Sequence, residues 1–246
     1  MDTLNYVALS HQMALQRQMS VIANNVANMN TAGYKREDAL FQSYLEQMKS
    51  APTRSARPVS FVLDQGMTRD LEQGEFTLTN DPLNAAINGD GFFTVRTPEG
   101  ETAYTRNGKF RLSGDGFLVT AEGAQVLNAE GQPIQFQVED TDLTIAEDGT
   151  VSTNNGVVGR LGITQFDNPY LLDKLGGTYL TGEGGQMLPA DQVHLKTGVI
   201  EASNVKAIKE VAHMTEVMRS YQSTSRLLDR YNDIRQQGIE RLARVQ

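Results

Sequence analysis

Cysteine is absent from this 246-residue chain, which excludes disulfide staples, thiolate metal sites and thiol nucleophiles together. Tryptophan is also missing, and His11, His194 and His213 are the only histidines, far apart and in no metalloprotease spacing. No Gly-x-Ser-x-Gly nucleophile elbow occurs. No catalytic, cofactor or metal site is therefore expected. The N-terminus lacks a basic segment followed by an apolar one, and no run of about 18 apolar residues is present, so neither a secretory signal nor a transmembrane helix is expected. Such a chain is soluble, or leaves the cytoplasm by a route that needs no cleaved signal.

Positive charge is scarce in the middle. The net charge is −8, yet residues 1–35 carry Arg17 and Lys35 against Asp2, and residues 201–246 carry eight basic against six acidic side chains, which leaves 36–200 at −11. An acidic middle without a basic patch argues against nucleic acid and against an anionic membrane surface as partners.

What is present changes period along the chain. From Asp2 to Asn28 there is neither proline nor glycine, and Ala8, Leu15, Met19, Ile22, Val26 and Met29 recur at the 3–4 spacing of a heptad, with Gln12 the one miss. This predicts an amphipathic helix. Its flanks are amides (Gln12, Gln16, Gln18, Asn24, Asn25, Asn28) where a solvated helix would carry Glu and Lys. The asparagines near the helix end can satisfy carbonyls left without intrahelical partners, or bond to a neighbouring subunit. Gly33 is a left-handed cap after Thr31-Ala32, and Lys35–Lys49 reads as a weaker helical or extended segment leading to a polar linker at residues 50–58.

Residues 61–200 are β-like. Short runs such as Glu75–Thr79, Phe92–Val95, Thr102–Thr105, Phe117–Thr120, Ile134–Val138 and Leu161–Phe166 are separated by Asn88-Gly89, Asp90-Gly91, Asn107-Gly108, Asp115-Gly116 and Asp148-Gly149. Tyr104 through Phe110 reads as a hairpin with a type I′ turn at Asn107-Gly108, its two rings as core anchors and Arg106 pointing outward. The acidic residues Asp90, Asp115 and Asp148 are too isolated for a calcium loop, and Gly182-Glu183-Gly184-Gly185 lacks the Lys-Ser/Thr of a phosphate cradle.

From Ser203 the helical period returns, with Ser203 or Asn204 as N-cap and a seam through Ala207, Val211, Met214, Met218, Tyr221, Leu228, Ile239 and Leu242. A second stripe runs through Val205, Ile208, Ala212, Val217, Tyr231 and Ile234, so this helix has apolar faces for more than one neighbour. The expected fold is α+β: an antiparallel all-β central domain, a small sandwich or barrel, flanked by long terminal helices paired in a coiled-coil-like bundle. Its parts are a helix at 1–35, a linker at 36–60, the β-rich domain at 61–200 and a helix at 201–246. Neither helix can bury its stripe alone.

Three motifs carry a resemblance to a known family. They are Ala23-Asn24-Asn25-Val26-Ala27-Asn28-Met29-Asn30-Thr31-Ala32-Gly33-Tyr34-Lys35; Gly89-Asp90-Gly91-Phe92-Phe93-Thr94-Val95 with Tyr104-Thr105-Arg106-Asn107-Gly108-Lys109-Phe110 and Gly116-Phe117-Leu118-Val119-Thr120; and Gly198-Val199-Ile200-Glu201-Ala202-Ser203-Asn204-Val205. In this order the chain resembles the flagellar basal-body rod and hook protein family, and its proximal-rod members in particular. Val26 stands in a leucine place and Tyr34 in a phenylalanine place.

The resemblance implies a structural subunit, not an enzyme, that crosses the periplasm in the rod and transmits motor torque. It would be exported through the flagellum-specific apparatus and assemble with copies of itself and homologous rod subunits. Its terminal helices would form an inner tube and its β-domain would face outward. On this reading the subunit-interface candidates are Leu15, Met19, Ile22, Asn24, Asn25, Val26, Asn28, Gly33, Tyr34, Arg106, Ser203, Asn204, Val205, Val211, Met214, Met218, Tyr221 and Leu228. A distal-rod member of the family, or a soluble β-rich binding module with an intramolecular helical stalk, are the alternatives.

Overall fold

A computed structural model describes residues 3–46, 59–137 and 139–243. They divide into two compact units, and the chain passes between them four times.

The first unit holds the chain up to Ala27, the segment Glu37–Asp70 and the chain from Lys206 onward. Helix α1 spans Thr3–Ala27, matching the proline-free and glycine-free stretch that predicts it. Helix α2 spans Ala207–Ala243. The two helices pack through buried Leu15, Ile22 and Val217, with Met19, Val26, Met214 and Tyr221 half-buried around them. They run antiparallel, since the end of α1 meets the start of α2 at Asn25 and Glu210 (3.3 Å), while Gln18 lies 3.0 Å from His213 one turn further along. At 37 residues against 25, α2 is longer by about 18 Å at 1.5 Å per residue.

The expected linker at 36–60 is in part a strand. Glu37–Glu46 pairs antiparallel with Val59–Arg69, from Glu37 opposite Arg69 to Glu46 opposite Val59, with a register shift at Leu40/Phe41. The partner strand lies more than ten residues downstream, so the pairing that stabilises Glu37–Glu46 leaves no mark on its local composition. Residues 47–58, which include the whole polar stretch at 50–58, fall outside the described residues.

The second unit comprises residues 28–36 and 71–205. Every strand pairing in it is antiparallel. Its largest sheet runs in the order Asp173–Gly176, Tyr179–Thr181, Thr102–Thr105, Phe92–Arg96, Gln125–Val126, Leu118–Thr120, Phe110–Leu112. Ile163–Gln165 pairs with Phe92–Arg96 beside this path. The core is formed by Phe93, Val95, Phe110, Leu118, Val126, Val151, Leu161 and Ile163, with Phe93 and Phe110 stacked edge to face at 5.0 Å. A second cluster joins Phe92, Phe166, Leu172 and Leu180, and Tyr104 packs on Phe166 at 4.8 Å.

Asp115-Gly116 and Asp148-Gly149 close hairpins as the turn chemistry predicts, with Gly116 at φ +80° and Gly149 at φ +82°. Asn107-Gly108 does not. Thr102–Thr105 pairs with its neighbours in the sheet and Phe110–Leu112 pairs with Leu118–Thr120, so the two flanking strands do not meet. Gly108 is required for another reason: the carbonyl of Ala85 lies where a Cβ would be, and Ala85 N–H donates to the Gly108 carbonyl (3.0 Å). The run at Ile134 is likewise no regular strand. It is tied by single bridges, Gln135 to Phe117 and Pro133 to Leu127, and Val138 lies outside the described residues.

Candidate functional site

The three sequence motifs, separated by up to 166 residues, converge in the second unit on one carboxylate. Glu201 ends the strand Val199–Glu201, which pairs with Phe76–Leu78, and its side chain is wholly buried. Lys35, two residues after Gly33, places Nζ 2.6 Å from Glu201 Oε1. Arg106 from the central motif places Nη1 3.7 Å from Glu201 Oε2. The backbone N–H of Gly74 also donates to Glu201 Oε1 (3.0 Å).

The two cations have further partners. Lys35 Nζ donates to the carbonyl of Glu72 (2.7 Å), and Arg106 Nη1 donates to the carbonyl of Gly89 (2.8 Å) while its guanidinium lies 5.1 Å from the Phe92 ring centre. Burial lowers the Arg106 pKa, and the nearby charges of Glu201 and Asp90 oppose that shift. A buried carboxylate between two buried cations tolerates little rearrangement, because removing the carboxylate strands both cations.

Backbone contacts reinforce the cluster. Gly33 sits at φ +67°, donates its N–H to the Glu201 carbonyl (2.8 Å), and lies so close to the Arg106–Asn107 peptide that a Cβ would be 2.7 Å from the Arg106 carbonyl oxygen. Asn204 Oδ1 accepts from the Arg36 N–H (2.7 Å) and its Nδ2 donates to the Glu72 carbonyl (3.2 Å). That role replaces the expected N-cap: α2 begins three residues later at Ala207, and Ser203 Oγ accepts from Val205 N–H within the approach to the helix.

A smaller cluster lies in the first unit. Asn25 is wholly buried at the end of α1, where Oδ1 accepts from Glu37 N–H (3.0 Å) and Nδ2 donates to the Glu37 carbonyl (2.8 Å) and to Glu210 Oε2. Glu37 in turn pairs with Arg69 at 3.2 Å. One asparagine thereby ties α1 to the strand hairpin and to the first turn of α2.

The residues singled out from the sequence fall into three groups. Leu15, Ile22, Asn25, Gly33, Tyr34, Arg106 and Val205 are buried within the chain, so Arg106 is an internal charge and not the outward contact expected of it. Met19, Val26, Asn28, Ser203, Asn204, Met214, Tyr221 and Leu228 are half-buried. Asn24, Val211 and Met218 are exposed. Glu201 and Lys35 were legible only as motif letters: Glu201 follows the apolar run Gly198-Val199-Ile200, and Lys35 opens the charged run Lys35-Arg36-Glu37-Asp38, so no local signal marks either as a buried charge.

Comparison with known proteins agrees with this convergence. The family described as "Flagella basal body rod protein" matches residues 6–35, "Flagellar hook protein FlgE/F/G D1 domain" matches 86–153, and "Flagellar basal body rod FlgEFG protein C-terminal" matches 196–241. The chain belongs to the flagellar basal-body rod protein family, and is a structural protein, not an enzyme. Within that family it is of the FlgF, proximal-rod type. It is 37% identical to the flagellar basal-body rod protein FlgF of Caulobacter vibrioides, covering 100% of both chains. It is 32% identical to FlgF of Rhizobium meliloti, over 93% of this chain and 92% of the relative. FlgG of Bacillus subtilis is 31% identical, over 95% and 97%. Among the described residues no helix is long and apolar enough to cross a membrane.

Proposed function

We propose that this rod subunit assembles through the outer faces of its terminal helices, while the Glu201 cluster holds the β-rich unit to the chain segments from which those helices spring. The observation that carries this is uncovered apolar surface: Tyr6, Leu9 and Met13 on α1, and Ile208, Val211, Met218, Leu227 and Ile234 on α2, are exposed. Helices of this kind gain their missing burial from neighbours. In this reading α1 and α2 pair in a coiled-coil-like manner and line an inner tube, and the β-rich unit, a small sandwich or barrel, faces outward. Subunits meet copies of themselves and other rod proteins by heterologous contacts that propagate helically instead of closing into a ring. The assembled rod crosses the periplasm and transmits torque, and the subunit reaches it through the flagellar export apparatus.

Gene deletion with rescue tests this reading. Truncated chains lacking residues 1–27 or 206–246 keep Gly33, Lys35, Arg106 and Glu201, and hence the cluster of the β-rich unit. Neither is expected to restore swimming, and isolated basal bodies should show rods that stop before the hook. Full motility with either truncation would overturn helix-mediated assembly and favour a β-rich binding module with a dispensable stalk.

A further inference from the structure

Within the first unit, α1 and the strand hairpin enclose an apolar groove of about 530 Å³, lined by Met13, Ala14, Arg17, Phe41, Leu63 and Asp64. Its apolar walls are open, with Met13 63% and Leu63 49% exposed. At its lip Asp64 lies 3.6 Å from Arg17 in a half-exposed pair. Such a pair is weakly held and its carboxylate can accept a second cation.

The distal part of α2 presents the complementary shape. Leu227, Tyr231 and Ile234 fall at i, i+4 and i+7, on one ridge, with Leu227 59% and Ile234 69% exposed, and Arg226 and Arg230 line the same surface. An apolar ridge edged by Arg226 and Arg230 fits an apolar groove whose lip carries the Arg17–Asp64 pair, where an incoming arginine can share Asp64.

We propose that the groove between α1 and the strand hairpin receives the Leu227–Ile234 ridge of α2 from a second copy of this chain, with Arg226 or Arg230 of that copy against Asp64. The inference rests on the assembly reading above and names the surfaces that would perform it. Groove and ridge are different patches on one chain, so each copy offers both and the contact is head-to-tail, the kind that builds a filament.

The ridge cannot fill its own groove. Tyr221 packs in the cluster that includes Leu15, and Ile234 lies 13 residues further along α2, about 20 Å along the axis, on the side away from the start of α2. A disulfide needs Cα atoms within about 7 Å, so a cross-link between positions 13 and 234 must be intermolecular.

The cysteine-free chain makes the test direct. The double variant Met13→Cys/Ile234→Cys is expressed in the deletion host, basal bodies are isolated and oxidised, and the chain is followed by non-reducing gel electrophoresis. A second pair, Leu63→Cys/Ile234→Cys, guards against a local packing failure in the first. The expected result is a ladder of dimers and higher multimers from at least one pair, with no ladder from any single-cysteine variant. Incorporation of both variants into motile, rod-bearing cells without a ladder would overturn the groove contact and leave the rod assignment intact. Exclusion of both variants while Met13→Ser and Ile234→Ser enter normally would also overturn it. Absence of even the unsubstituted chain from rods would instead overturn the assembly reading itself.

Discussion

Glu201→Ala is expected to destabilise the β-rich unit by about 3–5 kcal/mol, the cost of breaking a buried ion pair from one side. The substitution strands Lys35, whose Nζ lies 2.6 Å from the lost carboxylate, and Arg106, whose Nη1 lies 3.7 Å from it. It also removes the acceptor for Gly74 N–H. Water is largely kept from both cations, since Lys35 and Arg106 are themselves buried. Glu201→Gln keeps the size and one acceptor oxygen but not the charge, and should fall between the wild type and Glu201→Ala. Urea unfolding followed by circular dichroism measures the loss; a midpoint shift equivalent to less than about 1 kcal/mol, the worth of an exposed pair, would show that the cluster is solvated and not the junction described.

Gly33→Ala should be of similar severity for a different reason. Its φ of +67° costs an L-residue about 1–2 kcal/mol, and the added methyl meets the Arg106–Asn107 peptide, an overpacking that typically costs about 1–3 kcal/mol more. Gly123 separates the two causes: it has φ +92° with open space where the Cβ would go. Gly123→Ala should therefore lose only the conformational part, roughly 1–2 kcal/mol by the same unfolding assay. Equal losses at the two positions would mean that Gly33 is required for its backbone angle alone and that the close approach of the N-terminal and central motifs is unimportant.

How much of this was legible in the sequence differs by element. Both helices are plain in the 3–4 recurrence of apolar residues, because a helix is periodic over its own length and α1 carries no glycine or proline to interrupt it. Hairpins at Asp115-Gly116 and Asp148-Gly149 were equally local. The segment holding Glu37–Glu46 was left open between helical and extended because its strand partner is remote, and Asn107-Gly108 was misread because a glycine that admits a neighbouring carbonyl looks, in sequence, like one that makes a turn. Arg106 misled in the same way. Charged residues are usually outside, and only the position of Glu201, 95 residues away, makes its burial tolerable. Asn25 was expected to satisfy helix-end carbonyls or to bond a neighbouring subunit; in the folded chain its amide bonds the Glu37 backbone and the Glu210 carboxylate. The motifs thus announced the family plainly and concealed their use, which in the folded chain is largely to find one another.

The account turns on a division between a β-rich unit that holds the motif residues firmly and terminal helices that await neighbours. Amide hydrogen exchange of the dilute monomer tests that division most directly. The amides of Gly33 and Ala202, bonded to the Glu201 and Glu75 carbonyls, should exchange as slowly as the central strand Phe92–Arg96, whereas those around Tyr6–Met13 and Leu227–Ile234 should exchange within the fastest class. Uniform slow exchange along both helices in the monomer, equal to that of the central strand, would contradict it.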